Sequence, residues 1–176
     1  MACALLTGCK HIQQSSNVEG ALKPHLGESE FELKPLFSSE RFGNIVVSMK
    51  GTLIATWGSS YVRARRSEDG GKTWGPEIVI AKPAFQPGGL TVNEKTGDII
   101  AFVEDSHPPS PIHIYVSSDD GITWNKIETK IKPDSKGNAP SMHMNEHGIT
   151  LRHGKHKGRL IRPSRWYAGK NDSARW

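Results

Sequence analysis

The sequence predicts an all-β fold, a β-propeller assembled from repeated four-stranded units. The main observation is an octapeptide, S-x-D-x-G-x-T-W, which occurs at 67–74 and again at 117–124. The two copies stand about 50 residues apart, a spacing typical of propeller blades. The other observations are short apolar runs separated by turns, with 18 glycines and 11 prolines, and no long amphipathic helical pattern.

Each octapeptide predicts a tight hairpin turn. An Asp side chain can cap the backbone of such a turn, Gly can adopt a positive φ, and Thr followed by Trp can begin the next strand with the indole packed against it. We therefore expect a structural role and not a catalytic one for these positions, which are Ser67, Asp69, Gly71, Thr73 and Trp74 in the first copy and Ser117, Asp119, Gly121, Thr123 and Trp124 in the second.

Strand-like alternation precedes both octapeptides. Val62 and Ala64 alternate with Arg63 and Arg65 before the first copy, and residues 112–115 repeat the pattern before the second. A period of two predicts strands. Arg63 and Arg65 therefore lie on the same face of one predicted strand. We expect their side chains to point into solvent; the alternative is that they contact an adjoining unit.

A second repeated element lies further upstream in each unit. A Gly-x-(Leu/Ile)-Ile core begins at residues 51, 97 and 158, and each core follows a short apolar run, at 45–47, 90–92 and 149–151. A unit therefore has four short strands. Unit one runs from about Asn44 to Ile80, unit two from about Gly88 to Lys130, and unit three begins near His147.

These units amount to roughly two and a half blades, whereas closed propellers contain about four to eight. A partial ring leaves strand edges exposed. We therefore expect the chain to be the N-terminal part of a longer protein. Completion of the ring by another chain and a non-circular arrangement stay open as alternatives.

The N-terminal region divides by composition into residues 1–20, a truncated signal-like segment with a polar tether, and residues 21–39, an extension before the propeller at 40–176. Residues Leu6 to Cys9 resemble a bacterial lipobox, which would make Cys9 a lipid anchor and the protein secreted, periplasmic or attached to the cell surface. However, the basic start and the apolar run of a secretory signal are missing. A disordered arm therefore stays open as the alternative.

The net charge of +5 and the pI near 9.3 favour an anionic partner. Such a partner could be nucleic acid, a membrane surface or an acidic sugar. No predicted strand interleaves aromatic residues with arginines, as a nucleic-acid-binding sheet does, so we expect no nucleic acid partner. The histidines do not follow a metal-ligand spacing, and we expect neither a metal nor another cofactor.

Several stretches together resemble the N-terminal half of bacterial exo-α-sialidases. They are the two octapeptides, which match the Asp-boxes of that family, together with residues 41–47, 51–55, 65–74, 147–151 and 158–161. The resemblance covers about Glu40 to Trp176. It implies a six-bladed propeller that removes terminal sialic acid with retention of configuration.

The resemblance also implies a set of catalytic groups: a Tyr nucleophile assisted by Glu, an Asp acid/base, and three arginines that clamp the sugar carboxylate. A neutral phenol suits an anionic sugar because it is not repelled as a carboxylate nucleophile would be. Guanidinium groups suit the clamp because they bind carboxylates through two hydrogen bonds and stay charged.

Arg41 matches the first clamp arginine, although Gly43 stands where the family has Pro; the alternative is a surface arginine beside Glu40. Arg162 and Arg165 flank Pro163 at the end of a predicted strand. In a propeller, we expect this end of the strand to lie near the mouth of the central channel. Either arginine is therefore a candidate for contact with an anionic ligand.

The acid/base position departs from the family pattern. The family carries this Asp between the clamp arginine and the first Asp-box, yet no Asp or Glu occurs between Arg41 and Arg66. Asp105, at the end of a predicted inner strand beside Glu104 and His107, is the best substitute. The alternative is that Asp105 belongs to a solvated Pro-rich loop.

Two classes of function follow from these patterns. The first is a sialidase-like glycoside hydrolase acting on a sialic-acid-bearing or other acidic glycan, with the Tyr, its Glu and the remaining clamp arginines expected beyond Trp176, so that the chain alone is expected to be inactive. The second is a non-catalytic Asp-box propeller that binds carbohydrate or protein. A propeller hydrolase or lyase with another polysaccharide substrate is a weaker third alternative.

Overall fold

The computed structural model describes residues 33–38, 42–142 and 146–168. Cys9, Arg41 and the segment predicted over 1–20 lie outside the described residues. The described part is all-β, as predicted, with ten strands and no helix. Accordingly, it has no helix long and apolar enough to cross a membrane.

Two four-stranded antiparallel sheets form most of the structure, and each follows chain order from one edge to the other. The first sheet contains β1 (Asn44–Val47), β2 (Leu53–Trp57), β3 (Val62–Ser67) and β4 (Ile78–Ala81). The second contains β5 (Gln86–Val92), β6 (Ile99–Glu104), β7 (Ile112–Ser117) and β8 (Asn125–Ile127). A two-stranded sheet follows, made of β9 (Ile149–Thr150) and β10 (Leu160–Ile161).

The bounds of the two four-stranded sheets match the predicted units closely. In each sheet, short turns join sequential strands into an antiparallel meander. The second sheet begins at Gln86, two residues before the predicted start at Gly88. The Gly-x-(Leu/Ile)-Ile cores form the starts of β2, β6 and β10. Within the described residues, the third unit contributes the two strands that the sequence pattern indicated.

The first strands of the three units lie side by side. The Asn44 side-chain oxygen accepts a hydrogen bond from the Leu90 amide at 3.1 Å, which joins β1 to β5. Gly148, just before β9, forms a parallel bridge with Thr91. One apolar core runs through both four-stranded sheets, with Ile54 and Val62 from the first and Leu90 and Ile99 from the second.

The first octapeptide closes its turn through its own side chains. The Asp69 carboxylate accepts hydrogen bonds from the Thr73 amide and hydroxyl and from the Ser67 hydroxyl, at 2.6–3.0 Å. The Trp74 indole donates to the Gly71 carbonyl at 3.2 Å. The second octapeptide repeats these contacts with Ser117, Asp119, Gly121, Thr123 and Trp124.

Asp120 joins the second octapeptide to the first sheet. Its carboxylate accepts hydrogen bonds from the Thr52 hydroxyl at 2.6 Å and from the Arg66 guanidinium at 2.9 Å, and its carbonyl accepts a second bond from Arg66. Burial alone raises the pKa of Asp120, but these bonds and one from Ser48 hold the pKa below its ordinary value. The two sheets are therefore tied by a charge pair as well as by the core.

The expectation that Arg63 faces solvent is wrong, since the residue is only 9% exposed. Its guanidinium carbon lies 4.4 Å from the Trp57 ring centroid and 4.1 Å from that of Tyr61. Glu77 completes the enclosure with an ion pair at 3.2 Å. Two aromatic faces and a carboxylate thus replace the water that the charge would otherwise require.

Candidate functional site

The described candidate residues all lie at one end of the sheets, which we call the upper end. It comprises the starts of β1 and β5, the β2–β3 and β6–β7 loops, and the segments before β9 and after β10. Backbone hydrogen bonds connect these pieces: Phe85 donates to Glu104 at 2.7 Å, and Ser141 donates to Arg165 at 2.7 Å. The octapeptides follow β3 and β7 and therefore lie at the opposite end.

Glu104 is a fully buried carboxyl at the end of β6. It accepts hydrogen bonds from the Ser141 hydroxyl at 2.9 Å, the Met142 amide at 2.8 Å and the Gln86 side chain at 3.4 Å. Burial raises the pKa of Glu104, and the three hydrogen bonds and the charge of Arg162 oppose that rise. Glu104 thus fastens the segment before β9 to the second sheet.

Arg162 lies beside this buried carboxyl. Its guanidinium carbon is 4.8 Å from the Phe102 ring centroid, and the group donates to the Met142 sulfur and to the Pro163 carbonyl. Burial lowers the pKa of Arg162 to about 10, against the opposing charges of Glu146 and Glu104. The arginine therefore stays charged at neutral pH in a site from which much of the water is excluded.

A bulge in β5 makes room for Arg162. The register of β5 against β6 shifts between Pro87 and Leu90. A side chain at Gly88 would place its Cβ 2.4 Å from the Met142 Cβ and 3.1 Å from an Arg162 guanidinium nitrogen. The close approach of these segments thus requires glycine at position 88.

Asp105, the candidate acid/base, lies in the β6–β7 loop with its side chain 48% exposed. Its carboxylate is 2.9 Å from the His113 Nε2 atom. Burial, followed by the charge of Asp105, raises the pKa of Tyr115. Asp105 is therefore accessible from solvent and lies within hydrogen-bond distance of a histidine.

Arg165 is half-buried and forms an antiparallel bridge with Ser141 through its backbone. Its guanidinium donates to the Tyr167 hydroxyl at 3.4 Å. It also lines a cleft of about 490 Å³ together with Trp166 and the loop that precedes Ser141. Arg162 and Arg165 thus belong to one segment but have different surroundings.

Aromatic rings run across the upper end from one unit to the next. The ring centroids are 6.3 Å apart for Phe42 and Phe85, 5.9 Å for Phe85 and His107, and 5.7 Å for His107 and Tyr167. Such rings offer flat apolar surface beside polar groups, a combination suited to ligands with an apolar face and a polar edge.

A sialidase is among the known proteins that this chain resembles. The chain is 28% identical over 203 residues to a sialidase of Micromonospora viridifaciens, an alignment that includes 92% of this chain and 31% of that protein. The chain is similar to sialidases. It spans less than a third of the length of that relative, and no protein-family model matches it.

Two of the solved structures that are similar to this chain differ in coverage and TM-score. A crystal structure of a protein of unknown function from Dyadobacter fermentans DSM 18053 has a TM-score of 0.54 at 18% identity, covering 86% of this chain and 51% of that one. The Hadza microbial sialidase Hz136 has a TM-score of 0.49 at 25% identity, covering 64% and 30%. The structure from Dyadobacter fermentans, with its TM-score of 0.54, is therefore similar to this chain in fold.

The candidate residues of this chain are only partly brought together. Arg162 and Arg165 lie in one segment of the upper end, and Asp105 occupies another loop of the same end; Arg41 is outside the described residues, immediately before Phe42. Among the described residues, no group of three or more His, Cys, Asp or Glu side chains has the arrangement of a metal site.

Sequence reasoning missed Glu104, Gln86, Gly88 and Met142 as parts of the site. Glu104 ends the apolar run of β6, where a charged residue is ordinarily expected to reach solvent. Its burial depends on Ser141 and Met142, which are far away in sequence. The Gly pair after Pro87 was the available signal, because glycines inside a strand often mark a bulge.

Proposed function

We propose that this chain is the N-terminal part of a sialidase-like glycoside hydrolase with a six-bladed propeller, and that its upper end binds the acidic sugar. The observation that carries the proposal is the position of Arg162 and Arg165 at the same end of the sheets as Asp105, in a chain similar to a sialidase over 92% of its length. The two four-stranded sheets with Asp-box turns support the propeller.

The surroundings of Arg162 suit recognition of a carboxylate. Its guanidinium lies over the Phe102 ring and donates to the Met142 sulfur, so little side-chain entropy is lost when a ligand binds. A charge in a partly dry site also interacts more strongly with an anion than a fully solvated one. We assign Arg162, Arg165 and Arg41 to the carboxylate of a terminal sialic acid.

We assign the acid/base role to Asp105. It is exposed enough to reach a substrate, and His113 at 2.9 Å supplies a route for its proton. The stretch between Arg41 and Arg66, where the resemblance places this Asp, contains no Asp or Glu. The Tyr nucleophile, its Glu and any further clamp arginine would follow Trp176.

We also propose a location outside the cytoplasm. The lipobox-like residues before Cys9 support a lipid anchor there, and sialylated glycoconjugates are the expected partner. Labelling of the natural protein with a fatty acid analogue, compared with its Cys9→Ala variant, tests the anchor. Loss of the label in the variant is the expected result, and equal labelling would contradict it.

The catalytic proposal is tested by the release of N-acetylneuraminic acid from a mixture of α2,3- and α2,6-sialyllactose by the natural protein that contains this chain. Asp105→Asn is expected to lower kcat on the order of 100-fold, since general acid catalysis is lost. The control Glu128→Gln, at an exposed position, is expected to have wild-type kcat.

Two results would each contradict one part of the proposal, the acid/base role of Asp105 or the enzyme activity itself. An Asp105→Asn variant with unchanged kcat would remove Asp105 from the mechanism. Binding of sialyllactose without any release of sialic acid by the natural protein would support the alternative, a non-catalytic carbohydrate-binding propeller.

A further inference from the structure

The cleft beside Arg165 is lined by two segments of the chain, and Arg162 is not among its lining residues. One wall is the loop between β8 and Ser141, and the other is the segment 164–166 after β10. The Ser141 amide donates to the Arg165 carbonyl at 2.7 Å, so backbone pairing holds the two walls together. The volume of about 490 Å³ lies within the usual range for small-molecule sites.

Cations dominate this cleft. Lys132, Lys136 and Arg165 line it, and Asp134 is the acidic residue among its lining. Lys132 makes no ion pair with any described residue. Three positive charges against one negative charge in a concave surface attract anions.

The Asp134 carboxylate is already engaged within its own loop. Its Oδ1 atom accepts hydrogen bonds from the Lys136 amide at 2.8 Å and the Asn138 amide at 2.9 Å, and its Oδ2 atom accepts one from the Asn138 side chain at 2.9 Å. These hydrogen bonds hold the pKa of Asp134 below its ordinary value. Asp134 therefore shapes the loop that presents the lysines, and its acceptor positions are largely used.

Trp166 gives the cleft an aromatic surface. An indole next to cations can pack against the apolar face of a sugar ring while the cations bind its acidic substituent. A nucleic acid strand would require a longer basic groove with several stacking rings. The lining of this cleft instead contains one aromatic residue.

We propose that this cleft is a binding subsite for an acidic saccharide unit, bound by Lys132 and Lys136 and stacked on Trp166, next to Arg165, which the proposed function assigns to the sialic acid carboxylate. This inference rests on the proposed function, which makes the adjoining sugar a terminal sialic acid. It narrows the proposed substrates to glycans that carry a second acidic group near that sialic acid. The subsite itself requires no cleavage and no sialic acid.

Calorimetric titration of the natural protein tests the subsite with three probes that lack sialic acid: trigalacturonic acid, a sulfated galactose disaccharide and neutral galactotriose. We expect at least one anionic probe to bind, with an affinity that falls as NaCl is raised, and no binding of galactotriose. The two anionic probes distinguish a carboxylate from a sulfate ester as the bound group.

The test variant is Lys132→Met with Lys136→Met, and the matched control is Lys155→Met with Lys157→Met in the β9–β10 turn. All four lysines are exposed, so both variants are expected to fold with unchanged Tm. The test variant is expected to bind the anionic probe at least tenfold more weakly, and the control to bind it as the wild type does.

Equal affinity in the test variant, or equal binding of galactotriose, would overturn the proposal. So would tighter binding of a thymidine hexanucleotide than of both anionic sugars. These results are distinguishable from failure of the sialidase proposal, because release of sialic acid from sialyllactose is measured separately and does not require a second acidic group.

Discussion

The contribution of a charged residue to the stability of this chain depends on how deeply the residue and its partners are buried. Asp120 illustrates this, since its carboxylate side chain is 7% exposed and binds Arg66 and Thr52 from the other sheet. Glu68 pairs with the same arginine at 3.0 Å but is 72% exposed. The two carboxylates therefore share a partner and differ in burial.

We expect Asp120→Ala to lower the free energy of unfolding by about 2–3 kcal/mol, because it leaves Arg66 partly buried without its enclosed partner. The matched variant Glu68→Ala should cost less than about 0.5 kcal/mol, as exposed ion pairs do. Urea unfolding followed by circular dichroism measures both. Equal losses would show that Asp120 does not tie the sheets together.

Acid sensitivity is also expected at this scale. Burial raises the pKa of Asp119, but hydrogen bonds from Thr123 and Ser117 outweigh it and hold the pKa at about 2; the pKa of Asp69 is lowered by bonds from Thr73 and Ser67. A carboxyl with a lowered folded-state pKa adds stability above its unfolded value of about 3.9 and loses it as the pH falls.

The Tm should therefore fall between about pH 4 and pH 2. Asp119→Asn should reduce the slope of Tm against pH in this range, because its contribution no longer titrates. Thermal melts from pH 7 to pH 2 provide the measurement. An unchanged slope in the variant would mean that the octapeptide carboxylate does not favour the folded state.

The bulge in β5 is the element on which the upper end depends. Gly88→Ala would place a methyl group against Met142 and Arg162, at distances that ordinary contacts do not reach. We expect a loss of about 1–3 kcal/mol in stability and weaker binding of N-acetylneuraminic acid. Gly75→Ala is the control, since its Cβ would lie at 3.5 Å, an ordinary contact, from the Arg66 carbonyl.

Chemical denaturation and a sugar titration of both glycine variants test this prediction. A Gly88→Ala protein as stable as Gly75→Ala would show that β5 accommodates the methyl group by moving. The link between the bulge and Arg162 would then be lost.

The strands were predictable from sequence because their signals are local. Period-two alternation found β3 and β7, and the Gly-x-(Leu/Ile)-Ile cores found β2, β6 and β10. The site was less predictable, since Glu104 is buried by Ser141 and Met142, and Arg63 by Trp57 and Glu77. Such contacts join residues of different segments. The apolar–polar alternation within one strand does not predict which segments lie next to each other.

At the scale of the molecule, the two-stranded sheet exposes an apolar pair. Ile149 and Ile161 face each other across β9 and β10 and are 55% and 45% exposed. In the proposed propeller, adjoining blades would cover such residues. An exposed apolar pair on a small sheet favours association between copies.

The isolated 176-residue chain is therefore expected to self-associate at high concentration. Ile149→Ser with Ile161→Ser should shift the sedimentation profile toward monomer, whereas Ile122→Ser, at a 53% exposed position in the second octapeptide, should not. Identical profiles for all three proteins would place the associating surface elsewhere.

The central claim is that the upper end recognises the carboxylate of an acidic sugar. The most direct measurement is a saturation-transfer NMR titration of the natural protein with N-acetylneuraminic acid and with its methyl ester, which lacks the negative charge. We predict that the free acid binds at least tenfold more tightly than the ester and that Arg162→Lys removes most of this preference, because the lysine cannot form the paired hydrogen bonds of a guanidinium. Equal affinity for the acid and the ester, or no binding of either, would contradict the claim.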